Sequence, residues 1–190
     1  TYWDQKLIEI EPYITQINEN LIASVNDMLQ TSEIKEHFAE KNPWLADLAI
    51  HYAPGFDNNV DFSHILQQNM EKDRILKRTT AGPHKRSFNI LLNGVSAQDL
   101  LSRGQQKVVS IILHLIQREL IQNKTNTNPM LLMDDISSEL DKDNANLMLK
   151  YLISKSIQTV MTSIEKKRFS GEKDVFMFHV EQKGDKSNVR

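Results

Sequence analysis

The sequence has no cysteine, which removes disulfides and thiolate metal sites and fits a reducing compartment. Its six glycines never fall into a Gly-x-x-x-x-Gly-Lys-Ser/Thr loop, so no P-loop occurs within these residues. Long hydrophobic runs are missing too. The richest stretch, Val108 to Ile116, is broken by Ser110 and His114 and falls far short of the roughly 20 residues that span a bilayer. No membrane partner is expected. A net charge of −2 argues against coating nucleic acid by bulk electrostatics, so any DNA contact needs a local patch. The chain begins Thr1-Tyr2-Trp3-Asp4-Gln5-Lys6, without a methionine and without the charged lead and apolar core of a signal peptide. We therefore expect a cytoplasmic protein and a cut or partial chain.

Residues 3–51 contain no glycine and only Pro12 and Pro43. Leu7, Ile10, Ile14, Ile17, Leu21 and Val25 step by three or four, which predicts a long amphipathic helix. Thr31-Ser32 before Glu33-Ile34-Lys35-Glu36 predicts a capped restart, with Pro43 ending the second helix. Pro54-Gly55 opens a loop, and Phe62, Ile65, Leu66 and Met70 mark a further helix to about Arg78. Residues 1–78 thus read as an all-helical arm or lid.

From Thr79 the pattern changes to short strands and βα units, so residues 79–190 read as α/β with a parallel sheet. Phe88 to Leu92 before Asn93-Gly94 predicts a strand ending in a tight turn. A helix follows from about Arg103 to Gln122, its stripe of Val108, Ile111, Ile112, Leu115, Ile116 and Leu120 facing a sheet. Met130 to Met133 reads as a strand buried on both faces. A helix over 142–154 and a strand over 158–163 complete a strand-helix-strand unit, and Val175 to Val180 reads as a final strand.

Two stretches carry chemistry. The apolar strand ends in Asp134-Asp135, which places two carboxylates at the carboxyl edge of a parallel sheet, where open α/β folds bind ligands. Hard oxygen donors suit Mg²⁺, which keeps several waters and takes one or two carboxylates. Asp134 would hold the ion, usually through water, and Asp135 would orient or deprotonate the water that attacks a γ-phosphate. A plainer alternative is that the acids begin the next helix, where negative charge suits the dipole. Upstream, Leu101-Ser102-Arg103-Gly104-Gln105 offers a hydroxyl, a glycine amide and a helix amino end to an anion, or simply a cap at Ser102.

The order of these motifs, followed by Ser138-Glu139-Leu140-Asp141, resembles the carboxyl-terminal half of an ABC-type ATPase head, as in the SMC-like repair ATPases. Within that group it is similar to the RecF family of DNA replication and repair proteins, over about residues 3–165. Leu101 to Gln105 resembles the family's signature motif, with arginine where ABC proteins usually carry the first glycine. Leu131 to Asp135 resembles Walker B, with aspartate in the catalytic slot, and Ser138 to Asp141 resembles the D-loop. Thr80-Ala81-Gly82-Pro83-His84-Lys85 resembles a Gly-Pro-His-basic motif, although Ser87 stands where the family commonly has an acid. After the next strand, where ABC transporters place a switch histidine, Thr159 to Ile164 offers only hydroxyls.

The resemblance implies a head-to-tail dimer formed with ATP and Mg²⁺. Asp134 and Asp135 would serve the nucleotide of their own subunit. Ser102, Arg103, Gly104 and Gln105 would contact the nucleotide of the other, and Ser138 and Asp141 would run along the partner. The P-loop half is missing, so the segment alone is expected not to hydrolyse ATP. The shorter aspartate at 135 implies slow turnover, suited to a timed clamp on DNA acting with RecO- and RecR-type mediators at gaps.

The candidate DNA surface lies between Glu71 and Arg86, where six bases (Lys72, Arg74, Lys77, Arg78, Lys85, Arg86) face two acids (Glu71, Asp73). A solvated helix face with local pairs explains the same residues. Trp3, Tyr13, Phe38 and Trp44 read as core or interface residues and His84 as a structural hydrogen-bonding residue. Two other functions fit the same motifs: the head of another SMC-like or overcoming-lysogenization-type ATPase, or a metal-dependent phosphoesterase built on Asp134 and Asp135. The second lacks further acids or histidines for a second metal.

Overall fold

The computed structural model describes the backbone of residues 2–164, 175–183 and 186–189, with the side chains of 137, 138 and 181–189 outside the description. The chain is α/β and divides into two compact units, residues 1–127 and 128–190.

The first unit opens with α1 (Tyr2–Thr31) and α2 (Glu33–Ala39). The expected restart is present: Ser32 is extended and its hydroxyl accepts the Lys35 N–H at 3.4 Å. A 3₁₀ turn over Pro43–Asp47 then leads into β1 (Leu48–Ala53). This corrects the all-helical reading of residues 1–78. Leu48, Ile50 and Tyr52 are buried in alternation with exposed Ala49 and His51, a period of two that a helix cannot satisfy. The partner of β1 is β2 (Ser87–Leu92), antiparallel from Leu48↔Leu92 to Ala53↔Ser87, so the two sides of the expected boundary at 78/79 share one sheet.

Between these strands runs α3 (Phe62–Leu76), capped by Asp61, whose carboxylate accepts the Ser63 N–H at 2.7 Å. It stops at Lys77, which turns left-handed at φ 53°. β2 returns as β3 (Val95–Ser96) through Asn93 and Gly94, both at positive φ. A two-residue hairpin of this kind matches the twist of its strands, and Asn-Gly tolerates it best. The edge of the sheet along β1 is covered by α1. The Asn26 side chain donates to Ile50 O at 2.7 Å and accepts from Ile50 N at 2.8 Å, while Gln30 donates to Leu48 O at 3.1 Å.

The loop after β1 is held to the turn before β2. Gly55 sits at φ 91°, and a Cβ there would lie 2.6 Å from Gly82 O and from Lys85 C. That close approach gives the Gly82-Pro83-His84 turn a packing role, and His84 adds a bond from Nε2 to Thr79 O at 2.8 Å, as expected of a structural histidine. The unit ends with α4 (Ala97–Leu100) and α5 (Arg103–Thr125). The α5 residues Val108, Ile111, Ile112, Leu115 and Ile116 are buried. Within this unit α5 packs on helices α1 and α2, where a sheet was expected.

In the second unit β4 (Leu131–Met133) and β5 (Thr159–Met161) pair in parallel, Met133 opposite Met161. They are joined through α6 (Ile136–Glu139) and α7 (Lys142–Ser154), with Ile136, Leu140, Ala145, Met148 and Leu149 buried. β4 is not buried on both faces as expected. Leu132 is 76% exposed and its neighbour Val160 54%, while Leu131, Met133, Thr159 and Met161 are half-buried. A second correction concerns Val175 to Val180. Residues 175–179 form no regular strand, and β6 (Val180–Lys183) begins where it finds an antiparallel partner in β7 (Lys186–Val189).

Candidate functional site

The acids sit where the strand pattern places them, immediately after β4. Asp134 is exposed, and its Oδ1 accepts a hydrogen bond from the Thr162 hydroxyl. Asp135 adopts a left-handed backbone at φ 44°, ψ 51° and precedes α6 as its cap residue without a side-chain cap bond. Such a conformation costs an ordinary residue about 1–2 kcal/mol, and aspartate is among the few that visit it readily. The Asp135 N–H donates to Thr162 Oγ1 at 2.8 Å. The main chain of Thr162 pairs with the same loop, its N–H on Met133 O at 3.0 Å and its carbonyl accepting from Ile136 N at 3.1 Å.

This set suits a magnesium ion whose coordination is shared with substrate. One exposed carboxylate flanked by a neutral hydroxyl supplies a single hard oxygen ligand, and phosphate oxygens and waters would complete the shell. Among the described residues no three of His, Cys, Asp or Glu gather to hold a metal by themselves.

The carboxyl end of this loop is a helix cap. Asp141 accepts the Asn144 N–H at 2.9 Å through Oδ1 and the Asn144 side-chain amide at 2.7 Å through Oδ2. Partial burial pushes its carboxyl up, but the bonds from the Asn144 backbone and side chain outweigh it and hold the group below the ordinary carboxylate value. The side chain of Ser138, the other expected D-loop residue, lies outside the described residues.

The second motif belongs to the first unit. Ser102 Oγ accepts the Gln105 N–H at 3.3 Å, and the Gln105 side chain accepts the Ser102 N–H at 2.9 Å. This reciprocal capping box fixes the start of α5. The plainer reading of Ser102 as a cap is therefore realised, yet a hydroxyl that accepts one bond still has its proton to donate. Arg103 and Gly104 are exposed. A Cβ at Gly104 would meet nothing within 4 Å, so no packing among the described residues requires a glycine in this first turn, where glycine weakens a helix by up to about 1 kcal/mol.

Lys72, Arg74, Lys77, Arg78, Lys85 and Arg86 are all exposed. Lys72 and Arg74 lie towards the carboxyl end of α3, Lys77 and Arg78 just beyond it, and Lys85 and Arg86 in the turn before β2. Arg74 reaches Glu71 at 3.5 Å, and Arg86 donates to Pro83 O at 2.9 Å. Asp73 turns its carboxylate to the loop that follows α3. Its carboxylate accepts the Thr80 N–H and hydroxyl at 3.0 and 2.6 Å, tying the loop to the helix. Of the aromatics, Phe38 is buried as expected, whereas Trp3 and Tyr13 stand exposed on α1. Sequence reasoning missed Thr162 as a partner of the acids; the signal was its place one residue past β5, which the register sets beside Asp134.

Comparisons with known proteins point one way. The model of the RecF/RecN/SMC N terminal domain matches residues 9–187. The DNA replication and repair protein RecF of Shewanella sp. (strain MR-4) is 30% identical over 184 residues, covering 95% of this chain and 49% of that protein. Its counterpart in Shewanella amazonensis is 32% identical over 164 residues, covering 86% and 44%. The chain thus spans about half the length of the curated relatives it matches. Among solved structures, that of the recombination mediator protein RecF-ATP in the RecFOR pathway superposes with a TM-score of 0.67 at 22% identity, covering 87% of this chain and 45% of that one. A structure from work on ATP-driven dimerization and DNA stimulated activation of SMC ATPases gives 0.50 at 13% identity, covering 92% and 87%. At these identities the structural likeness concerns the fold.

Proposed function

This chain belongs to the RecF/RecN/SMC N terminal domain family, and on that premise we propose that it is the signature and Walker B part of an ATP-dependent DNA repair and replication protein of the RecF type. The observation that carries the reading is the acid pair at the carboxyl end of a parallel strand, Asp134 exposed and Asp135 one residue further.

Joined to a P-loop half, Asp134 holds Mg²⁺ through water and Asp135 orients the attacking water and takes its proton. The ion, when bound, offsets charge on the phosphates. Ser102 donates its hydroxyl proton to a terminal phosphate oxygen on the other subunit, with its own oxygen fixed by the Gln105 N–H. Arg103, Gly104 and Gln105 complete that contact, and the open space at Gly104 supports close approach of a nucleotide from outside the chain. Ser138 and Asp141 follow the partner subunit as a D-loop.

ATP thereby holds a homodimer together on DNA and hydrolysis releases it, slowly because aspartate at 135 is a short base. Lys72, Arg74, Lys77, Arg78, Lys85 and Arg86 supply the DNA contact. RecO- and RecR-type mediators are the partners, and the work is done in the cytoplasm. The test is Asp135→Asn in the full-length protein, with dimer lifetime followed after ATP addition. We expect at least about a tenfold longer lifetime, since a general base contributes rate factors of about 10²–10⁴. A dimer that dissociates as fast as wild type would remove Asp135 from the mechanism.

A further inference from the structure

We propose that Thr162 is a positioning residue for the acid pair, orienting Asp134 towards its ion and fixing the backbone of Asp135; this rests on the ATPase reading above. The parallel register sets Met133 opposite Met161, so the first residues past each strand, Asp134 and Thr162, stand side by side. Thr162 then spends its hydrogen-bonding groups on one loop. Its N–H goes to Met133 O at 3.0 Å, its carbonyl accepts from Ile136 N at 3.1 Å, and its hydroxyl oxygen accepts from Asp135 N at 2.8 Å. The hydroxyl proton goes to Asp134 Oδ1.

Donating to one residue and accepting from the next requires a hydroxyl. Valine has the same shape and can do neither, while serine can do both without the methyl group that restricts χ1. The bond to Asp134 Oδ1 comes from a neutral donor, so it turns the carboxylate without cancelling the charge that attracts a cation. Asp134 Oδ2 is left to face the ion. The bond from Asp135 N restrains a left-handed residue, and the direction of the Asp135 side chain follows from that backbone. Partners that orient a metal-site ligand in this way are worth about 10–100-fold in metal affinity or activity when removed.

The experiment places Thr162→Val and Thr162→Ser in the full-length protein. Three readouts are taken: the Mg²⁺ concentration that half-saturates nucleotide binding, the kcat for ATP, and amide hydrogen exchange at Asp135. For Thr162→Val we expect the Mg²⁺ requirement to rise about tenfold, kcat to fall, and the Asp135 amide to exchange faster. Thr162→Ser is expected to restore all three to within about threefold of wild type. If wild type hydrolyses ATP and Thr162→Val matches it in Mg²⁺ requirement and Asp135 exchange, the positioning role is wrong and the ATPase reading stands. If serine and valine are equally impaired, the hydroxyl is not what matters and the proposal is overturned. A wild-type protein that does not turn over ATP removes both.

Discussion

Two of the three sheets among the described residues are finished to different degrees. In the antiparallel sheet of the first unit the turn is a two-residue hairpin, the β1 edge is met by the Asn26 and Gln30 side chains, and the following loop is held by Gly55. The parallel pair of the second unit leaves Leu132 and Val160 uncovered. Parallel strands are rarely stable unless both faces are covered. The uncovered pair is the one that carries the acids.

The largest effect is expected on the antiparallel side, from Gly55→Ala. A methyl group would meet backbone at 2.6 Å in a left-handed position, so we expect a loss of about 3 kcal/mol, measured by urea denaturation. A smaller effect is expected in the second unit from Asp141→Ala, which removes a cap worth about 1 kcal/mol. Its folded carboxyl lies below the ordinary value of 3.8. The contribution is therefore present above that pH and is lost as pH falls through the folded value. Stability-versus-pH curves of wild type and variant should differ above pH ~5 and converge in strong acid.

The smallest effect should come from Leu132→Ser in the 190-residue chain, below about 0.5 kcal/mol, as for surface positions generally. In full-length protein the same change should cost about 2 kcal/mol if further chain buries that face. Equal small costs in both settings would erase the contrast between the two sheets.

Features closed over a few residues were legible in the sequence. The caps at Ser32 and Ser102, the Asn93-Gly94 turn, the bounds of the helix over 142–154 and the acids after an apolar strand depend on neighbours within a turn or two. β1 was not legible, because its six residues follow a helix without a glycine and its partner lies about 40 residues onward. The packing role of Gly82 was hidden for the same reason: its contact is Gly55, a distant loop. The left-handed backbone of Asp135 and the bonds of Thr162 arise only once two strands are in register, and no local propensity encodes register. For the basic patch, composition gave the charge, whereas the engagement of Asp73 with Thr80 depended on how the loop returns.

Asn26 has a consequence for how copies of this protein behave in a crowded solution. An uncapped strand edge is a template on which another strand can add, and each addition exposes a new edge for the next. By filling both bonds of Ile50 with a side-chain amide, α1 acts as a chain terminator for that growth. The cap is attached to the sheet it protects, so its local concentration does not fall on dilution, and a second molecule must displace it before it can add.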